Sequence, residues 1–316
     1  MDRLAISLAT RGRPEKLVDT ITRSIANWTH TNTVLWVMAD ADDEPTHDAI
    51  RKEQGKWGSD RVFLSVMPRE DTIGEKWNRI LDLQPQADLF LIAGDDDPYV
   101  TPGYDTKLLE AGKRFPDGIG MCYGHMANAS FSGAVCPSRG MIELMGGKIF
   151  VEYFPYWFVD HWTDDLARII GRISFADIRT DQSAVGKTQE LREPAWWATF
   201  FDCAYLARRM IAHNIINSER FSAPMWLKEM LLAHHPMIEY RSRWINDNVR
   251  ANARQLEGWS GASPQDDRYK RIKEKAKTLI PHFLNDYEMP EQERLGFQSA
   301  LLPPTTVPNL RKSFSL

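Results

Sequence analysis

The chain has 316 residues, 39 Lys and Arg against 43 Asp and Glu, and a formal net charge of -4. With 43% hydrophobic and 26% charged residues it has the composition of a folded globular protein, which excludes wholesale disorder, and its slight acidity argues against coating nucleic acid through bulk electrostatics. Three cysteines without a CxxC pair exclude a disulfide framework and a zinc ribbon, and point to a reducing, cytoplasmic setting without a membrane span or signal peptide.

The first half alternates between two periodicities. Residues 4–9 form a short apolar run that predicts a buried strand, and Pro14 opens a helical spacing at Leu17, Val18, Ile21 and Ile25. Residues 34–38 predict a second strand, with a helical stretch over 46–56. Residues 62–66 predict a third strand, and 73–83 a helix with Trp77, Ile80 and Leu81 on one face. Residues 89–93 predict a fourth strand. This alternation predicts a mostly parallel α/β sheet covered by helices, whose ligands bind beyond the carboxyl ends of the strands. After about residue 118 the rhythm changes. Short strands are expected over 118–123 and 134–137, a helix after Ser138, two helices within 194–233 and a strongly basic helix over 264–280.

Asp95-Asp96-Asp97 directly follows the fourth strand. Three adjacent carboxylates repel one another and need a cation or full solvation. Oxygen ligands of this kind suit Mg²⁺ or Mn²⁺, which neutralise a diphosphate, although an acidic surface turn has the same composition. The first strand ends in Thr10-Arg11-Gly12-Arg13-Pro14, whose guanidinium groups suit phosphate. The second ends in Asp40-Ala41-Asp42-Asp43, read either as acceptors for a base or ribose or as acids at a helix start. The third leads to Gly74-Glu75-Lys76-Trp77-Asn78, with a cation and an amide near a helix start.

In this order, over roughly the first 175 residues, these segments resemble the GT-A glycosyltransferases, and among them the inverting family 2 with its DxD-type metal motif. The resemblance implies a nucleotide-sugar-binding half (1–117), an acceptor-binding half (118–235) and a helical basic extension and tail (236–316). It implies a nucleotide-diphosphate sugar, a UDP-sugar first, held by Thr10, Arg11, Arg13, Asp40, Asp42, Lys76, Asp95 and Asp96. Asp97, with Asp95, would ligate Mn²⁺ or Mg²⁺. Inverting transfer needs a carboxylate to take the acceptor proton. The matching element here is His161-Trp162-Thr163-Asp164-Asp165, with Asp165 first and Asp164 second as the base. The plainer reading of Thr163-Asp164-Asp165 is a helix N-terminus. His161 or the pair His234-His235 would be an added metal ligand, although a capping role accounts for either. Tyr156, Trp157 and Trp162 lie where an acceptor sugar would stack, although core packing is the usual fate of tryptophan.

Three other readings stay open. They are a non-catalytic glycan- or anion-binding protein, a transferase acting on a DNA base, and a nucleotidyltransferase. The last usually needs more glycines after the first strand than Gly12 alone. The cations from Arg241 to Lys277 read as a solvated helical face or as contact with an anionic partner.

Overall fold

The computed structural model describes residues 1–125, 133–155, 158–181, 193–233, 267–286 and 288–302. Four parallel strands, β1 (Leu4–Ala9), β2 (Thr33–Asp40), β3 (Val62–Met67) and β4 (Leu89–Gly94), lie in the order β3-β2-β1-β4. The helices α1 (Pro14–Ile25), α2 (Glu44–Trp57), α3 (Ile73–Asn78) and α4 (Ile80–Leu83) connect them, and α5 (Tyr104–Gly112) follows β4. Every residue of β1 is buried, as a central strand covered on both faces requires. Its side chains divide by the two-residue period. Leu4, Ile6 and Leu8 join Leu17, Ile21, Ile50 and Leu108 in one core, while Ala5 joins Phe90, Ile92 and Phe150 in the other. Each such aliphatic side chain stabilises the fold by about 1.5–3 kcal/mol.

A second sheet, in the order β6-β5-β7, is built from β5 (Met121–His125), β6 (Gly133–Pro137) and β7 (Ile173–Arg179). β5 runs antiparallel to β6 and parallel to β7, and a bridge between Leu89 and Ser138 links β4 to the end of β6. Cys122 and Cys136, distant in sequence, face each other across β5 and β6 as free buried thiols. Strand β7 carries Ser174, Ala176 and Ile178 on its buried side. The small inner Ser174 and Ala176 and the outward Phe175 hide the alternation that would have announced it.

The remaining helices are α6 (Arg139–Leu144), α7 (Val159–Ile169), α8 (Pro194–Cys203), α9 (Tyr205–Asn217), α10 (Met225–Ala233), α11 (Asp267–Asn285) and α12 (Glu291–Leu301). Residues 194–233 thus hold three helices rather than the two expected. Helix α7 also differs from expectation. It starts at Val159, after Phe158 in the left-handed region (φ 75°), so Thr163, Asp164 and Asp165 sit in its interior rather than at its cap. The acid in its first turn, favourable to the helix dipole, is Asp160.

The basic helix α11 is amphipathic. Tyr269, Ile272, Ala276, Ile280 and Phe283 are buried in the same core as Phe154, Trp162 and Trp197, and its cations occupy the other face. It is therefore part of the same packed body and not an appendage. Arg241, Arg243, Arg250 and Arg254 lie outside the described residues. Among the described residues no helix is long and apolar enough to cross a membrane.

Candidate active site

Strands β1 and β4 are neighbours, yet the chain leaves β1 toward β2 on one flank and leaves β4 in the other direction, toward the second sheet. Such a switch point leaves a crevice. A cavity of about 220 Å³ lies there, lined at the end of β1 by Thr10, Arg11 and Arg13, at β2 by Asp40, and at β4 by Asp95 and Asp96. Lys76 and Trp77 of α3 complete one wall. The four strand ends singled out in the sequence therefore meet in space.

Arg13 ties the two sides of the switch point together. It pairs with both carboxylate oxygens of Asp95, and its Nη1 lies 2.9 Å from Asp96 Oδ2. The Thr10 hydroxyl donates to Asp95 Oδ2 at 2.8 Å. Burial pushes the Asp95 carboxyl up, against the pull of Arg13 and Thr10. Both of its oxygens accept from Thr10 or Arg13, so Asp95 anchors Arg13 at the turn.

Asp97 is the remaining acid of the motif. Its Oδ1 is buried without a hydrogen-bond partner among the described residues. Burial first, then the charges of Asp96 and Asp95, push its carboxyl up to about 6. A Cβ at Gly94 would stand 3.2 Å from Asp96 Oδ1 and 3.5 Å from Asp97 Oδ2, so the two carboxylates fold back close over Gly94. Hard oxygens crowded together and short of compensation are what a divalent cation requires. No group of three or more His, Cys, Asp or Glu among the described residues is arranged to hold a metal by itself. Water and ligand oxygens would have to complete the shell, as is usual for Mg²⁺.

Asp40 is the second hub. It is buried and receives Arg11 at 2.8 Å and the ammonium of Lys76, with Arg69 at 3.9 Å. Burial lowers the Lys76 pKa in spite of Asp40, and its Nζ also donates to the Thr10 carbonyl at 3.0 Å. Lys76 thus locks β1 to β2 at the cavity wall. Asp42 is largely exposed and outside the lining, and the hydrogen bond from Arg11 holds its carboxyl down to about 2.

The segment around Gly74 and Asn78 is structural. The Asn78 side chain accepts from the backbone of Ile149 and Phe150, both at 3.0 Å, and donates to the Phe150 carbonyl at 2.9 Å. A Cβ at Gly74 would come within 2.9 Å of the Val151 carbonyl. Close approach and the amide clamp together fix α3, and with it Lys76. Asn78→Ala is expected to lower stability by about 2–3 kcal/mol, because buried backbone groups lose their partners. A chemical-denaturation curve compared with wild type checks this.

The expected catalytic acids are placed differently. Asp165 is buried and paired with Arg208 at 2.7 Å, while Asp164 is buried and paired with Arg168 at 2.7 Å. Neither lines the cavity. Trp162, expected on the acceptor surface, is 3% exposed and packs among Tyr153, Phe154 and Phe201. It is a core residue, because an indole on the inner face of α7 meets the aromatics of α8 there. His161 pairs through Nδ1 with Asp160 at 2.8 Å, and the attraction of that carboxylate overcomes burial to raise its pKa. Tyr156, Trp157, His234 and His235 lie outside the described residues.

Sequence reasoning missed the other wall, formed by Arg69, Glu70, Asp71 and Thr72 with Pro155 and Arg268. One signal was available. Thr72-Ile73-Gly74-Glu75 is a capping box, and both of its reciprocal hydrogen bonds are present. Arg268 carried no such signal, since it reaches Glu70 from 198 residues away.

This sheet order and this site define the class: the chain has a GT-A glycosyltransferase fold, with a mostly parallel sheet flanked by helices. It is similar to S. aureus TarS 1-349 in complex with UDP-GlcNAc, with a TM-score of 0.54, 12% identity, and coverage of 93% of this chain and 89% of that one. It is also similar to the mannosyltransferase PcManGT from Pyrobaculum calidifontis in complex with GDP-Man and Mn²⁺. There the TM-score is 0.52 at 14% identity, over 95% of this chain and 84% of that one. No family model matches the chain, and no curated protein matches it either.

Proposed function

We propose that this chain is a glycosyltransferase that binds a nucleoside-diphosphate sugar, a UDP-sugar first, at the switch point and passes the sugar with inversion to an acceptor hydroxyl. The observation that carries this reading is the meeting of Thr10, Arg11, Arg13, Asp40, Lys76, Asp95 and Asp96 around one cavity, next in sequence to Asp97, whose buried Oδ1 has no hydrogen-bond partner among the described residues. The solved structures of the same fold were obtained with UDP-GlcNAc, or with GDP-Man and Mn²⁺, which supports the donor class. Asp97, assisted by Asp96, would hold Mn²⁺ or Mg²⁺. When bound, that cation supplies charge neutralisation to the departing diphosphate.

The chain's own part is preorganisation. Arg13 is held by Asp95 and Asp96, and Arg11 by Asp40 and Asp42, so two guanidinium groups stand ready at the cavity before any ligand arrives. The Thr10 hydroxyl and Lys76 fix the strand ends from which they project. Inversion asks for a carboxylate base. For Asp165 or Asp164 to serve, Arg208 or Arg168 must release it, because a carboxylate held by an arginine is a weak base.

Thermal-shift titration with UDP and GDP, with and without Mn²⁺, tests the donor reading. A ligand at one hundred times its Kd adds about 2.7 kcal/mol to stability, so a clear rise is expected with nucleotide and metal together. Hydrolysis of a panel of nucleotide sugars then identifies the donor. Stabilisation by oligosaccharides with no response to any nucleotide would replace the transferase by a glycan-binding protein.

A further inference from the structure

Helix α11 begins at the rim of the donor cavity. Arg268, in its first turn, is a lining residue, as is Arg69 at the far end of β3. Arg268 Nη1 donates to the Glu70 carbonyl at 3.1 Å. Three residues on, the exposed Arg271 pairs with Asp71 at 2.7 Å and stays outside the lining. Two successive residues of the loop that carries Arg69 and Thr72 to the cavity are thus tied to α11. The helix itself is held by its buried face through Tyr269, Ile272 and Ala276, so its first turn is delivered to the rim by the core. Arg268 brings a guanidinium to the lining of the cavity. Its fork matches two phosphate oxygens, and a side chain on an already ordered backbone surrenders little freedom when an anion arrives.

We propose that Arg268, together with Arg69, binds the phosphates of the donor nucleotide, so that the C-terminal helix completes the donor site. The inference rests on the nucleotide reading above. It makes residues 267–285 part of the binding machinery of the first hundred residues, and it places the substrate's negative charge between the strand ends and α11.

Calorimetric titration of UDP and GDP in the presence of Mn²⁺, on the full chain and its variants, tests it. Arg268→Ala is expected to weaken whichever nucleotide the wild type binds by about tenfold or more, the size of a lost charge-assisted hydrogen bond. Arg268→Lys recovers part of the loss, since it keeps the charge without the fork. Tyr269→Phe, which removes the hydroxyl bonds to Trp197 and Glu193 that dock the same helix turn and lies outside the lining, keeps affinity within about threefold of wild type. Should Arg268→Ala unfold the helix start, Arg268→Gln keeps a donor for the Glu70 carbonyl, removes the charge and carries the same expectation. Wild-type affinity in the folded Arg268 variants overturns the proposal, and so does an equal loss in Tyr269→Phe, which would assign the effect to helix docking. A wild-type chain that binds neither nucleotide overturns the donor reading instead.

Discussion

Asp97→Asn is expected to abolish sugar transfer, leave the fold intact and raise the melting temperature of the metal-free protein above pH 6. The stability effect follows from linkage. In the fold the Asp97 carboxyl is pushed from its ordinary 3.8 up to about 6, by burial and by the charges of Asp96 and Asp95. The folded state therefore holds this proton more tightly than the unfolded chain does. That contribution is fully present below the unfolded value and is lost as pH rises through about 6. At neutral pH wild type carries a charged, uncompensated carboxylate. Asparagine mimics the neutral form and removes a penalty on the order of 2 kcal/mol after allowance for partial solvation. Near pH 4 the two proteins should melt alike. Activity should move the opposite way. On the proposed reading Asp97 would hold the cation that neutralises charge on the departing diphosphate, so the variant should lower turnover by at least about 100-fold, roughly 3 kcal/mol. Melting curves from pH 4 to 8 and turnover of the donor with Mn²⁺ check both halves. Undiminished turnover in the variant, or in excess chelator, would remove the metal from the reaction.

Arg208→Ala is expected to have the largest effect on stability, about 3–5 kcal/mol, because it strands a buried charge. Arg208 is fully buried, pairs with Asp165 at 2.7 Å, donates to the Phe201 carbonyl at 2.6 Å and lies 3.7 Å above the Phe201 ring. Burial lowers its pKa against the pull of Asp165. Truncation would leave the Asp165 carboxylate in an aromatic interior with its cation gone. The double variant Arg208→Met with Asp165→Leu should recover much of the loss, since an apolar pair needs no desolvation. Asp165→Asn is the informative companion. Its amide still accepts from Arg208, so a moderate loss of stability with transfer retained marks Asp165 as structural. A folded Asp165→Asn variant with no transfer at any pH would make it the acceptor base, with Arg208 as the group that lets it go.

The first half of the chain was legible in the sequence to a degree that the second half was not. Strand β1 and helix α1 fall on the residues their periodicities indicate, because a run of six buried residues and a proline-opened amphipathic helix are decided by local chemistry. The ends of β1, β2 and β4 were recognised for the same reason. A parallel sheet must put consecutive carboxyl ends on one edge, so polar residues after each strand share a crevice. What those residues do to one another was not legible. Asp95 is bonded to Arg13 and Thr10, which leaves Asp97 short of compensation, and that division depends on angles at one turn.

The sequence by itself determined the alternating α/β body, the acidic turn after the fourth strand and the basic helix over 264–280, since each is a periodicity or a neighbour relation along the chain. Tertiary structure alone decided three things. It turned Asp164 and Asp165 into buried partners of arginines, one of them 43 residues away. It moved Trp162 from an expected sugar platform into an aromatic core. It also brought Arg268 to a cavity built from residues of the first hundred. The physical reason is common to all three. Whether a charge or an indole meets solvent, a ligand or the interior is set by what the rest of the chain packs against it, and that information is not local.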